Sequence, residues 1–164
     1  MEAAEDDVGA RSHYLRPMPS RTLWLICGSG LLPFLVCLGI AFQSPPGSAL
    51  HSAAVHTFVV YSALTLSFLG GARWGAELVR APDGPLVSRM VASALPSIVG
   101  LAALLPQTAP RVALGLLMLS GGAQLAWDVS ASRAGLLPAW NARVRSVMTA
   151  LGTACSAAMW PMAS

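Results

Sequence analysis

The stretch from Thr22 to Phe42, TLWLICGSGLLPFLVCLGIAF, contains 21 residues and no charged side chain. As a helix it would be about 31 Å long, which matches the hydrocarbon core of a bilayer. It is longer than the apolar core of a secretory signal peptide, about 7–15 residues, so we expect an anchor that is retained. Pro33 predicts a kink, which a membrane helix tolerates because neighbouring groups satisfy the freed carbonyl.

The remaining sequence continues this apolar pattern. The 164 residues are 55% hydrophobic and only 10% charged, with a mean hydropathy of +0.62. Soluble domains contain about 25% charged residues, so the composition excludes a typical soluble globule as well as a disordered chain. We expect an all-helical bundle of five transmembrane helices after a polar, poorly ordered cytoplasmic tail at residues 1–21. The predicted spans are residues 22–42, 53–72, 87–105, 112–127 and 146–162.

The third span contains an apolar run of only 16 residues, from Met90 to Leu105. It reaches about the required length if it begins at Val87 and the Arg89 side chain extends to the headgroups.

The basic residues indicate the orientation of these spans. All ten are arginine, and in this topology Arg111 alone falls on one side. Because arginine is biased toward the cytoplasm, we expect the N-terminus inside and the C-terminus outside. Four acidic residues near the start argue against a mitochondrial import signal, so a bacterial inner membrane is expected and a mitochondrial inner membrane is the alternative. The nine arginines on the predicted inner side are Arg11, Arg16, Arg21, Arg73, Arg80, Arg89, Arg133, Arg143 and Arg145.

Small residues recur every four positions in the second predicted span, at Ala63, Ser67, Gly71 and Gly75. Residues at this spacing lie near one another on a helix, and small side chains let two membrane helices approach closely. We expect this face to pack within the bundle, and a homodimer or partner-binding face is the alternative.

Two oppositely charged residues, Arg73 and Asp128, are predicted at the inner ends of the second and fourth spans. An unpaired charge near the hydrocarbon edge is costly, so these residues are a candidate structural ion pair. His56 is the only ionisable residue well inside a predicted apolar run. A packed or interface histidine is favoured over a haem ligand or proton carrier, because a bis-histidine haem needs a second histidine at matching depth.

A candidate interaction surface lies on the cytoplasmic side. Its residue types are those that contribute most to protein interfaces, and arginine also binds anionic lipid headgroups. The alternative is that the tryptophans anchor helices and the arginines only follow the orientation bias. The surface consists of Trp74, Pro138, Trp140, Arg143 and Arg145.

Motifs of known catalytic sites are absent from the sequence. The sequence has no H-E-x-x-H, no G-x-S-x-G, no pair of intramembrane aspartates and no phosphate-binding glycine loop. Cys27, Cys37 and Cys155 lie in apolar runs without metal or disulfide spacing. We therefore expect no catalytic residue, cofactor or metal, and no nucleic-acid partner. The expected function is that of an accessory or assembly component of a larger membrane complex, and a small-solute transporter or channel is the alternative.

The string from Tyr61 to Gly75, YSALTLSFLGGARWG, resembles the signature of an uncharacterised membrane family. This is the transmembrane protein 69-like family, also called domain of unknown function 3429. The resemblance extends over about residues 20–160, and Asn141 departs from it where an aromatic residue is expected. It implies a bacterial or mitochondrial membrane protein and supplies no mechanism. Supporting positions are Leu95-Pro-Ser97, Asp128, Leu137-Pro-Ala-Trp140, Arg145 and Thr149.

Overall fold

The computed structural model describes residues 20–80, 87–135, 137 and 139–163. Regular structure in these residues is helical and includes no strand, which confirms the all-helical prediction. Residues 1–19 of the predicted polar tail lie outside the described residues. The helices are α1 Ser20–Ser29, α2 Leu32–Gln43, α3 Ala49–Arg80, α4 Val87–Ala103, α5 Pro110–Arg133 and α6 Ala139–Met159, followed by a 3-10 helix Trp160–Met162.

The first predicted span consists of two helices, because the helical structure is interrupted at Gly30 and Leu31. Pro33 lies in the first turn of α2. Its fixed φ suits that position and its missing N–H costs no helical hydrogen bond there. The proline therefore begins a helix rather than kinking one. The chain divides into two compact units, Met1–Gly30 and Leu31–Ser164.

Among the described residues, three helical stretches are long and apolar enough to cross a membrane, and they indicate a membrane protein. They are Arg21–Gln43, Ala49–Leu78 and Pro110–Arg133, and Val87–Ala103 is a shorter apolar helix of 17 residues. Large apolar side chains on these helices are exposed, among them Phe68, Leu101 and Leu119. Exposed apolar surface of this extent is typical of a lipid-facing protein.

α3 is the central helix of the second unit and contacts α2, α4 and α5, while α6 contacts α5 and α2. The core of the second unit contains Phe34, which packs edge to face against two other rings. Its ring centroid lies 5.1 Å from that of Phe58 and 4.9 Å from that of Tyr61. Phe58 itself is fully buried, as are Leu114 and Met159 of the same core. The core therefore joins α2, α3, α5 and α6.

Two helices extend beyond their predicted ends. α3 continues through Arg73 and Glu77, beyond the predicted end of the second span at residue 72. α5 likewise continues past Asp128. These charged residues stay inside the bundle because they pair with one another, as described below.

α3 and α4 approach each other closely through small residues. A Cβ added at Gly100 would lie 3.2 Å from the Ala63 carbonyl oxygen and 3.3 Å from Ser67 Oγ. A Cβ added at Gly70 would lie 2.7 Å from the Ser93 carbonyl oxygen, closer than real Cβ contacts come. Ala63, Ser67 and Gly70 therefore form the α3 side of this contact.

The structure corrects the predicted packing face at Gly71 and Gly75. A Cβ added at either glycine would meet no neighbouring atom within 4 Å among the described residues. A helix has 3.6 residues per turn, so every fourth residue drifts about 40° around the axis per step. The seven-residue step from Ala63 to Gly70 drifts only about 20°, and Gly70 therefore stays on the packed face.

Candidate functional site

Charged side chains from α3, α4, α5 and α6 meet at one end of the bundle, and we call Arg73, Glu77, Arg89, Asp128 and Arg145 the charged cluster. Arg73 Nη2 donates to Glu77 Oε1 at 2.6 Å, one turn along α3. Arg89 Nη1 lies 3.7 Å from Glu77 Oε2. This half of the cluster thus connects α3 with the start of α4.

Asp128 of α5 forms the other half of the charged cluster. Arg145 Nη2 lies 2.7 Å from Asp128 Oδ2, and Arg73 Nη1 lies 3.7 Å from Asp128 Oδ1. The candidate pair Arg73–Asp128 is therefore brought together, but the shorter contact of Asp128 is with Arg145. Positive and negative groups alternate through the cluster from Arg89 to Arg145.

The charged cluster is largely withdrawn from solvent. Arg73, Glu77 and Asp128 are each 4% exposed. Arg89 is the most exposed member of the cluster, and its side chain is 39% exposed. Burial of an ion costs several kcal/mol unless it is paired, and the alternating contacts offset that cost. The Arg73 guanidinium also stacks on Trp127, with Cζ 4.5 Å from the ring centroid, a favourable cation–π geometry.

Arg145 does not belong to the exposed surface predicted for it. Its side chain is 13% exposed and is bound to Asp128. α6 begins at Ala139, earlier than predicted, so Arg143 and Arg145 are both helical and point about 160° apart around the axis. Arg143 is consequently exposed while Arg145 faces the bundle.

The other predicted surface residues remain exposed. Trp74 is 39% and Trp140 46% exposed. Trp140 and Arg143 are three residues apart on α6 and therefore share one face. We call Trp140 and Arg143 the Trp–Arg surface; Trp74 lies on a different helix, α3. Pro138 lies outside the described residues.

Sequence reasoning missed Gln124, which is 4% exposed on α5. Its amide Nε2 and Oε1 have no hydrogen-bond partner among the described residues. Gln124 lies one turn before Asp128, so both residues occupy the same face of α5. The signal available in the sequence was the spacing of polar residues at 124, 128 and 132 within an apolar helix.

His51, a second missed residue, lies at the opposite end of the bundle. It precedes the predicted second span but lies in the first turn of α3, and it is buried. Its Nδ1 is 3.1 Å from the Ala41 carbonyl oxygen and its Nε2 is 3.0 Å from that of Met162. A neutral imidazole can donate only one of these hydrogen bonds, and an imidazolium donates both. The ring thereby joins the end of α2, the start of α3 and the segment after α6.

Arg111 binds the same segment after α6. Its Nε donates to the Trp160 carbonyl oxygen at 3.3 Å and its Nη2 to that of Pro161 at 3.4 Å. His56 is exposed and lines a cavity of about 300 Å³ together with His51 and Thr108. In the part of the chain that the structure describes, no three His, Cys, Asp or Glu side chains are grouped to hold a metal ion.

Comparison with known proteins gives a family and no activity. No curated protein and no solved structure matches the chain. The family described as "Protein of unknown function (DUF3429)" matches residues 18–161, which covers α1 to α6 and all residues of the charged cluster. The chain therefore belongs to the DUF3429 family.

Proposed function

We propose that the protein is an integral membrane protein of the bacterial inner membrane and acts as an accessory or assembly component of a larger membrane complex. In this proposal it crosses the membrane five times, with its N-terminus inside and its C-terminus outside, and α4 and α6 are the shorter spans. The mitochondrial inner membrane is the alternative location. The grouping of Arg73, Arg89 and Arg145 at one end of the bundle supports that orientation, because arginine is enriched on the cytoplasmic side.

The observation that carries the accessory role is the Trp–Arg surface. Trp140 and Arg143 are exposed one turn apart on α6, although the neighbouring Arg145 is drawn into the charged cluster. Tryptophan and arginine are the residue types that contribute most binding energy when a partner buries them. A second membrane protein, or an anionic lipid, is the partner that this chemistry fits.

The proposal is tested by comparing Trp140→Ala and Arg143→Ala with the parent after gentle detergent extraction. Native electrophoresis and mass spectrometry should show a co-purifying protein or lipid with the parent and its loss from both variants, with thermal stability unchanged. Trp160→Ala is the matched control, since Trp160 is a similarly exposed tryptophan at the opposite end. If both variants retain every co-purifying species, these residues only anchor the helix in the membrane, and the proposal is contradicted.

A small-solute transporter or channel is the second candidate function. The observation that favours it is the buried polar group of Arg73, Gln124 and Asp128, because ionisable residues inside membrane bundles often mark substrate paths. Flux of a monovalent cation through vesicles that contain only the purified protein would support this candidate. The accessory role predicts no such flux from the protein alone.

A further inference from the structure

A line of polar side chains runs along the inward face of α5. Gln124, Asp128 and Ser132 follow one another at four-residue steps over about 12 Å, and each step turns about 40° around the helix, so the three side chains form a band that turns by about 80°. Polar side-chain atoms of Gln124 and Ser132 are buried, and Asp128 is 4% exposed. Arg73 of α3 and Arg145 of α6 approach the line at Asp128. We call Gln124, Asp128, Ser132, Arg73 and Arg145 the polar lane.

Several buried polar atoms of the polar lane have no hydrogen-bond partner among the described residues. They are Gln124 Nε2 and Oε1, Arg73 Nε, Arg145 Nε and Ser132 Oγ. Gln124 and Arg73 are each 4% exposed, so bulk solvent does not satisfy them. Buried polar groups in proteins are almost always hydrogen-bonded to protein or to ordered water, because leaving them unsatisfied is costly. The lane therefore needs further partners.

The ion-pair distances point in the same direction. Arg73 Nη1 and Asp128 Oδ1 are 3.7 Å apart, and Arg89 Nη1 and Glu77 Oε2 are also 3.7 Å apart. Both separations exceed the normal range of an N–H···O hydrogen bond. A polar separation of this length is commonly bridged by a water molecule.

The chemistry of the lane selects its ligand. The unsatisfied atoms include N–H donors, the acceptor Gln124 Oε1 and the hydroxyl of Ser132, which can do both. The Asp128 carboxylate disfavours a bound anion, and the Arg73 and Arg145 guanidinium groups disfavour a bound cation. A neutral molecule that both donates and accepts fits the set, and buried water does so with about three hydrogen bonds each.

We propose that the polar lane is a binding site for water, filled from the charged end of the bundle and reaching inward to Gln124. Gln124 lies nine residues before the end of α5 at Arg133, which places it about 14 Å along the helix axis from that end. The lane is thus an aqueous inlet that stops inside the bundle. It goes beyond the accessory role, since it concerns the interior of the protein and no partner.

The test uses silver ion, a small aqueous probe that reacts with thiolates, on the full chain in lipid nanodiscs. Cys27, Cys37 and Cys155 are first replaced by alanine, and Gln124→Cys and Ala123→Cys are compared in that background. Ala123 is exposed on α5 and differs from Gln124 by one residue, so both positions have nearly the same depth. After denaturation, maleimide labels the thiols that silver has not blocked. The loss of labelling with time of exposure to silver gives the rate at each position.

We expect the thiol at position 124 to react with silver at least about tenfold faster than that at position 123, because thiols ionise in contact with water and not in hydrocarbon. A second measurement does not depend on the cysteine variants. Gln124→Leu should lower the midpoint of thermal unfolding by about 2–4 °C because it removes bound water's partners, whereas Ala123→Leu should not. Equal silver rates at the two positions, or a Gln124→Leu midpoint at or above that of the parent, would overturn the proposal.

Discussion

Asp128 holds the two halves of the charged cluster together at the scale of single residues. Its carboxylate lies 2.7 Å from Arg145 and 3.7 Å from Arg73, which come from helices on either side of α5. Replacing Asp128 deprives both Arg73 and Arg145 of a negatively charged partner. Replacing Arg145 leaves Asp128 beside Arg73. Loss of the acid should therefore destabilise the bundle more than loss of either arginine alone.

Two double-mutant cycles measure this arrangement. Asp128→Asn combined with Arg145→Gln should show a coupling of about 1–3 kcal/mol, because removing one partner leaves the other buried and uncompensated. Asp128→Asn combined with Arg73→Gln should also be coupled, but more weakly, since that pair is 1 Å longer and Arg73 keeps Glu77. Thermal unfolding in detergent gives the free energies. Additive losses in both cycles would refute the pairing.

The α3–α4 contact governs packing at the scale of elements. Gly70 lies against the backbone of α4 at Ser93, and Gly100 of α4 lies against Ala63 of α3. Each glycine thus lets the partner helix approach where a side chain would hold the two backbones apart. The neighbouring Gly71 has open space around it, so adjacent glycines on one helix have different roles.

Gly70→Ala and Gly71→Ala provide a matched test of this contact. Gly70→Ala should destabilise the protein by about 1–3 kcal/mol, because the new Cβ would lie 2.7 Å from a backbone oxygen that cannot easily move. Gly71→Ala should be neutral or stabilising by up to about 1 kcal/mol, because alanine is the better helix former. The unfolding midpoints of the two variants decide the matter. A similar loss in both would place the close contact elsewhere.

Sequence reasoning located the apolar helices because long uncharged runs are strong signals, and it named Arg73 and Asp128 from their charge and depth. It ended α3 and α5 too early, because it took Arg73 and Asp128 to mark the ends of their spans. In the structure both helices continue past these residues, which pair with charged side chains inside the bundle. It chose Gly71 over Gly70 because a four-residue repeat looks regular in sequence but drifts around a helix. The burial of Arg145, Gln124 and His51 depends on which helices are neighbours. The sequence of one apolar helix does not contain that information.

At the scale of the whole molecule, charge is distributed unequally between the two ends of the bundle. The charged cluster occupies one end, while Arg111, His51 and the carbonyl oxygens after α6 meet at the other. α4 has 17 residues and is about 26 Å long, slightly less than the hydrocarbon thickness of about 30 Å. The proposed five spans therefore depend on α4 crossing with its ends close to the headgroups.

Reporter fusions at the C-terminus test that topology. A phosphatase that is active only in the periplasm should be active there, and a fluorescent protein that folds only in the cytoplasm should stay dark, because an odd number of spans puts the two termini on opposite sides. Matching fusions after Ala134, between α5 and α6, should give the reverse pattern. Phosphatase-inactive and fluorescent C-terminal fusions would mean an even number of spans, with α4 as the first helix to re-examine.

The hydrogen bond between His51 and Met162 also sets an order of events during synthesis. The two residues are 111 positions apart in the chain. A ribosome adds about 5–20 residues per second, so at least about 6 seconds separate the appearance of the imidazole from that of its carbonyl partner. During this interval α2 to α5 have emerged while the start of α3 still lacks that contact. The contact between His51 and Met162 is therefore among the last of the bundle to form during synthesis.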